Sequence, residues 1–483
     1  MTEVDWIGLA GLTLQLVLAL VVAIVVSANR KPESTIAWML AVVFVPLVGI
    51  VLFALIGAQR LPPARRDKQR YVSELITART EGGLGKVSRP HRWPQWLPSI
   101  VRMNESLGAL PMVGGNSSVL IEDYRGAIQA IADDVDQASR TVHVEFFILV
   151  YDDFSAPFFE ALRRACARGV EVRVLSDHVT QLTYPARRRT RRMLAEMGAH
   201  YEPMLPLRPF RGRWRRPDLR NHRKLVTIDG TVAHTGSLNM IADHYHKRKG
   251  IKRGLHWHEL MVRLEGPIVR ELDAVFVTDW YSETEELLPL DYSPVRLDDG
   301  VRDAQVIPSG PTFDNDNNLK LFAAVIHNAR HRVSITSPYF VPDPTIQLAM
   351  MTAAARGLDI ELFVSATSDQ FMVYHAQRSY YEQLLRAGVK IYLYREPTIL
   401  HAKHLSIDDD VAIIGSSNLD IRSLSLHMEV MVLLHGTDVV DELRVVENHY
   451  RAASELLTLE TWLTRPRREK LLDNVMRLTS SLM

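Results

Sequence analysis

A six-letter pattern stands twice in this chain at fixed offsets, and it constrains the fold more than any other feature. The first copy is His222-Arg223-Lys224, then four residues to Asp229, then six more to Gly236-Ser237-Leu238-Asn239. The second is His401-Ala402-Lys403, four residues to Asp408, then six to Gly415-Ser416-Ser417-Asn418. The surroundings repeat as well. ASRTVHVEFFILVYD (Ala138–Asp152) answers ARHRVSITSPYFVPD (Ala329–Asp343), and Ala167-Arg168-Gly169-Val170 answers Ala355-Arg356-Gly357-Leu358. Gly198 in EMGAHYE and Gly388 in RAGVKIYLY open a third matching stretch. Helix ends, glycine stops and alternating strands recur in one order. Two α/β sandwich halves, each around a central sheet, are therefore predicted.

The repeated letters suit chemistry at a phosphodiester. KLVTID and KHLSID read as strands, whose alternate side chains share a face. His222 with Lys224, and His401 with Lys403, are each expected to point one way. Asp229 and Asp408 point the other way and are expected to brace the strand or the following loop. Gly236 and Gly415 let the backbone turn, bringing Ser237, Asn239, Ser416 and Asn418 back beside the pairs. One neutral imidazole can attack phosphorus while the other protonates the leaving alkoxide. The lysines and asparagines offset charge developing on the oxygens. Two ammonium groups can serve where a metal pair serves elsewhere, so neither metal nor cofactor is expected.

The doubled motif resembles that of the phospholipase D superfamily, whose members carry it on two similar halves packed face to face. NHRKLVTIDG, ITSPYFVPD, LHAKHLSIDDDVAIIGSSNLDIRS and the N-terminal RKPESTIAWML narrow the resemblance to bacterial cardiolipin synthases. That likeness implies two phosphatidylglycerol molecules joined into cardiolipin with release of glycerol. It implies His222 as the nucleophile of a phosphatidyl-enzyme, and His401 as the acid for glycerol and then the base for the incoming hydroxyl. It also implies an acidic residue that orients each histidine, and Glu259 and Glu429 occupy the matching positions. The chain departs from the pattern where LHMEV replaces a more usual Asn-containing version, which bears on acceptor preference. Lipid hydrolysis, transfer to another alcohol and a membrane-tethered nuclease stand as alternatives.

Charge is distributed unevenly. Lys plus Arg number 57 against 56 Asp plus Glu, a net charge of +1. Yet Trp6–Ser27 and Ile36–Gly57, of 22 residues each, carry no charged side chain. About 20 apolar residues span a bilayer as a helix, so a two-helix transmembrane hairpin is predicted over 1–58. A basic connector (59–110) follows, with Trp93 and Trp96 among its cations, then the two halves at 111–300 and 301–483. The cluster from Arg60 to Arg70 places the catalytic body on the cytoplasmic side of the cell membrane, although Arg30 and Lys31 in the loop argue the other way. Arg187–Arg192 and Arg208–Arg220 suit anionic phospholipid headgroups. No nucleic-acid partner is expected, and an oligomer is compatible with the sequence. His244, His246, His256, His258 and Glu259 resemble zinc donors, a reading set aside because the chemistry needs no metal. Glu145 is read either as lining the site or as a satisfied strand-end carboxylate. The single Cys166 excludes an intramolecular disulfide framework.

Overall fold

Each half begins from amphipathic helices that cover strands built of alternating or continuous Val, Ile and Leu. The computed structural model describes residues 32–56, 65–68, 70–71, 90–184, 186–207, 217–289, 302–313 and 316–480, with isolated positions at 13, 17, 20, 21, 24 and 61. Among the described residues most strands form one mixed 15-stranded sheet, and two further pairs stand apart from it. From its centre outward, the first half runs Val113–Ile121, Met261–Glu265, Val232–Gly236, Lys224–Ile228, Thr141–Phe146, Glu171–Asp177 and His200–Met204. The second half runs Arg302–Ser309, Glu429–His435, Val411–Gly415, His404–Ile407, Arg332–Thr336, Asp359–Ser365 and Lys390–Tyr394, with Ser454–Leu457 at the far edge. Position by position, the two orders mirror one another.

The expected face-to-face packing of two separate sheets gives way to an edge-to-edge join. The central strands are antiparallel, pairing Val113 with Ala304 and Asn116 with Arg302 across a register irregularity. Asn116 donates to the carbonyls of Val113 and Arg302 there, which satisfies the groups that the irregularity would leave unpaired. Arg302 closes the seam, donating to the Ser118 carbonyl at 2.6 Å and to Asp438 and Glu442 at 2.7 Å. Each half keeps its own apolar core. One gathers Ile128, Val144, Phe158 and Leu162, and the other Leu321, Ile335, Leu362 and Ile413.

The strands bearing the motif are shorter than expected. They begin at Lys224 and at His404, so His222, His401 and Lys403 lie just before them, outside the strands. The C-terminal helix Arg467–Arg477 caps the second half, its buried Asp473 accepting from His375 and Arg465 at 2.7 Å.

The N-terminal expectation needs correction in part. Trp6–Ser27 lies almost wholly outside the described residues. The second uncharged run is not one 22-residue helix: it forms α1 (Pro32–Phe44) and α2 (Pro46–Ile56), separated at Val45. Proline has no backbone N–H to continue the helical ladder at position 46. Among the described residues no helix is long and apolar enough to cross a membrane. Of the arginines at 208–220, only Arg220 lies among the described residues.

Candidate active site

The two histidines are held by symmetric, crossed contacts between the halves. The His222 backbone N–H donates to the Met428 carbonyl at 2.8 Å, and the His401 N–H to the His258 carbonyl at 2.7 Å. The residue after each acceptor is the glutamate that holds the same ring. His222 Nδ1 lies 2.9 Å from Glu429 Oε1, and His401 Nδ1 lies 2.7 Å from Glu259 Oε1. The sequence put each glutamate downstream of its own motif; in the fold each serves the histidine of the other half. Short parallel strands make the crossing, with Thr398–Leu400 paired to His256–His258 and Asn221 bridged to Met428.

The lysines anchor on the same backbone, Lys224 Nζ donating to the His222 carbonyl and Lys403 Nζ to the His401 carbonyl, both at 2.5 Å. All four cationic or imidazole groups are buried. Asp229 and Asp408 sit apart at strand ends with φ of 52° and 49°. Asp229 accepts from the backbone N–H groups of Ser139, Arg140 and Thr141 at 2.7–2.8 Å. Asp408 accepts from those of Arg330, His331 and Arg332 at 2.7–3.2 Å. Both carboxylates thus clamp the start of the neighbouring strand.

Gly236 and Gly415 are required for close approach. A Cβ at either would overlap the carbonyl oxygen of Leu260 or Val430, each one residue past a glutamate. Ser237 accepts from Leu260 N at 2.8 Å, and Ser416 donates to Glu429 Oε2 at 2.5 Å. Asn239 bridges Ile148 N and the Tyr245 hydroxyl at 3.1 and 3.0 Å. Asn418 donates to Asp420 at 3.0 Å, and its Oδ1 has no hydrogen-bond partner among the described residues.

The family described as "Cardiolipin synthase, PLD-like domain" matches residues 131–280 and 322–449, and "Phospholipase D-nuclease N-terminal" matches 16–57. Cardiolipin synthase A of Proteus mirabilis (strain HI4320) is 31% identical over 99% of this chain and 97% of that protein. A cardiolipin synthase of Geobacillus kaustophilus (strain HTA426) is 31% identical over 96% of this chain and 91% of its own. The chain belongs to the cardiolipin synthase family. It is an enzyme, a phosphatidyltransferase of the phospholipase D type. Among solved structures, phosphatidylserine synthase of Haemophilus influenzae Rd KW20 shares the fold, with a TM-score of 0.57 at 14% identity over 80% of this chain and 98% of that one.

In this member of the cardiolipin synthase family the electrostatics favour neutral imidazoles. Burial, reinforced by Lys224, Lys403 and His401, drives His222 well below its ordinary range. Burial likewise takes His401 down to about 4 against the opposing pull of Glu259. Lys403 falls to about 8 through burial, partly offset by Glu259 and Glu429. Burial raises Glu429 to about 7 despite Lys224. Glu259 ends lower than usual, because His401, Lys403 and the Tyr245 hydroxyl at 2.7 Å outweigh its burial.

The residues that resembled zinc donors disperse to separate partners: His246 to Asp152 at 2.8 Å, His256 to Thr398 at 2.9 Å, and Glu259 to His401. Among the described residues, His222, His427 and Glu429 alone bring three such donor atoms within 4.8 Å of one another. Lys224, Arg220 and Arg422 act on the same pocket, which disfavours a divalent cation there.

Several residues escaped the sequence reading. His427, in the divergent LHMEV, lies with its ring 5.5 Å from that of His222, and neither nitrogen has a hydrogen-bond partner among the described residues. Arg223, between two motif letters, donates from Nε to the Glu429 carbonyl at 3.0 Å and pairs with Asp279. Glu145, which the sequence did single out, shares that buried cluster with Arg223 and Asp279, and burial raises it well above its usual range. Tyr245 has no counterpart signal beyond an aromatic in a charged loop.

Proposed function

We propose that the chain transfers a phosphatidyl group from one phosphatidylglycerol to the hydroxyl of another, giving cardiolipin and glycerol. The crossed His–Glu pairing supports this reading most directly, since it presents two oriented imidazoles to one site from opposite halves. Glu429 holds His222 at Nδ1, leaving Nε2 as the nitrogen for attack. The Nε2–P bond forms as the P–O bond to glycerol breaks. His401 gives its proton to the departing oxygen, and the charge of the bound phosphodiester favours the imidazolium that this requires. In the second half-reaction His401 takes the proton of the incoming hydroxyl, whose oxygen displaces His222 from phosphorus. Lys224 and Lys403 neutralise the nonbridging oxygens throughout. Asp229 and Asp408 keep the motif strands in register, and Ser237, Asn239, Ser416 and Asn418 shape the pocket around the phosphate.

The enzyme acts at a bilayer in this reading, with its catalytic body on the cytoplasmic side. The uncharged runs, the basic connector and the N-terminal family match at 16–57 support it. Purified protein given phosphatidylglycerol in detergent is expected to yield cardiolipin with stoichiometric free glycerol. Phosphatidic acid alone would overturn the transfer reading in favour of hydrolysis, and undiminished activity in His222→Ala would overturn the nucleophile.

A further inference from the structure

We propose that α1–α2 is a re-entrant wedge, entering a bilayer and leaving it through the same face. The inference rests on the membrane reading above and refines how the chain is anchored.

Reach comes first. At 1.5 Å per residue, 13 residues of α1 extend about 20 Å and the 11 of α2 about 17 Å. The hydrocarbon core is about 30 Å thick, so neither helix crosses it alone. Nor do they add end to end, because they double back. A Cβ on Gly49 would come within 2.5 Å of the Ala41 carbonyl oxygen and 2.8 Å of Val42 N. Eight residues along a straight helix would instead lie about 12 Å apart. Trp38 and Phe53 meet edge to face at 5.3 Å, and fully buried Val42 packs against Trp38, Ile50 and Phe53.

The outer surface then identifies the solvent. From Ser34 to Gln59 no side chain is charged. Phe44, Val45 and Val48 at the bend are 77%, 52% and 54% exposed. A hairpin that crossed would bring this bend to the far headgroups, where polar or amphipathic residues belong. An apolar bend belongs in hydrocarbon. The flanking charges agree with a same-face exit. Arg30 and Lys31 precede the wedge and Arg60 follows it. These clusters compete over orientation if the run crosses, and both meet the same anionic leaflet if it does not.

The test uses full-length chains with the native cysteine removed (Cys166→Ser) and one cysteine restored as Ser34→Cys, Phe44→Cys or Gln59→Cys. A membrane-impermeant maleimide is applied to right-side-out spheroplasts, to inverted vesicles and after detergent. Positions 34 and 59 are expected to react from one and the same side, and position 44 only after detergent. Reaction of 34 and 59 from opposite sides overturns the wedge, as does reaction of 44 from the side opposite to them, or no reaction at 34 and 59 before detergent. Alkaline carbonate extraction separates the two readings: release of the chain from membranes defeats the membrane reading itself, whereas retention with opposite-side labelling defeats only the wedge. Cardiolipin formation by each variant reports that it is folded.

Discussion

Glu429 and Glu259 occupy equivalent places, yet burial leaves Glu429 near 7 while its partners hold Glu259 below its ordinary value. The difference has a local origin: at Glu259 His401, Lys403 and the Tyr245 hydroxyl outweigh burial, whereas at Glu429 burial outweighs Lys224, Ser416 and Lys403. Glu429→Gln keeps the shape and removes the charge that stabilises the imidazolium. It is expected to slow covalent labelling by radioactive phosphatidylglycerol by about 10²–10⁴-fold, and labelling at the parent rate would refute the orienting role. The pH profile of kcat/KM follows from the same groups. Activity should fall as pH drops through about 7, where Glu429 takes up its proton, and fall again as pH rises through about 8, where Lys403 loses its own. In Lys403→Arg the alkaline limb should disappear from the residual activity, because a guanidinium stays charged. The motif letters, being residue types at fixed spacing, were legible in the sequence. Arg223 and His427 were not, because their importance lies in contacts made some 200 residues away, with the Glu429 carbonyl and with His222.

At the scale of elements, the short strand pair of Thr398–Leu400 with His256–His258 and the isolated bridge of Asn221 to Met428 do the positioning. They are too brief to stand out as periodic runs, and their partners lie in the other repeat. The tight approach of Gly415 to the Val430 carbonyl belongs to the same machinery, since Val430 adjoins Glu429. Gly415→Ala should destabilise the protein by about 1–3 kcal/mol through overpacking. Urea unfolding would measure this, and a loss of kcat should accompany it as Glu429 is displaced. An unchanged unfolding midpoint would show that the strand yields freely. The second uncharged run illustrates the opposite limit. Its composition announced an apolar segment, but Pro46 and Gly49 within it decide that the segment bends back at Val45.

Across the whole molecule, the two halves share one sheet and the crossed His–Glu contacts, so the proposed mechanism draws on both. Arg302 links the first half at Ser118 to the second at Asp438 and Glu442. Arg302→Ala is expected to cost about 1–3 kcal/mol, and to lower kcat as the crossed His–Glu contacts loosen together. Calorimetry alongside turnover would check both, and full activity with an unchanged Tm would remove Arg302 from the seam. Duplicated His, Lys and Asp letters, β-rich α/β repeats and the uncharged N-terminal runs were all legible from residue type and local period. Which carboxylate serves which histidine emerges in the folded chain alone, because the partners lie 207 and 142 residues apart. Local pattern carries no information on pairing across a pseudo-symmetric sheet. There, mirrored strand order brings the loop of one half beside the motif of the other.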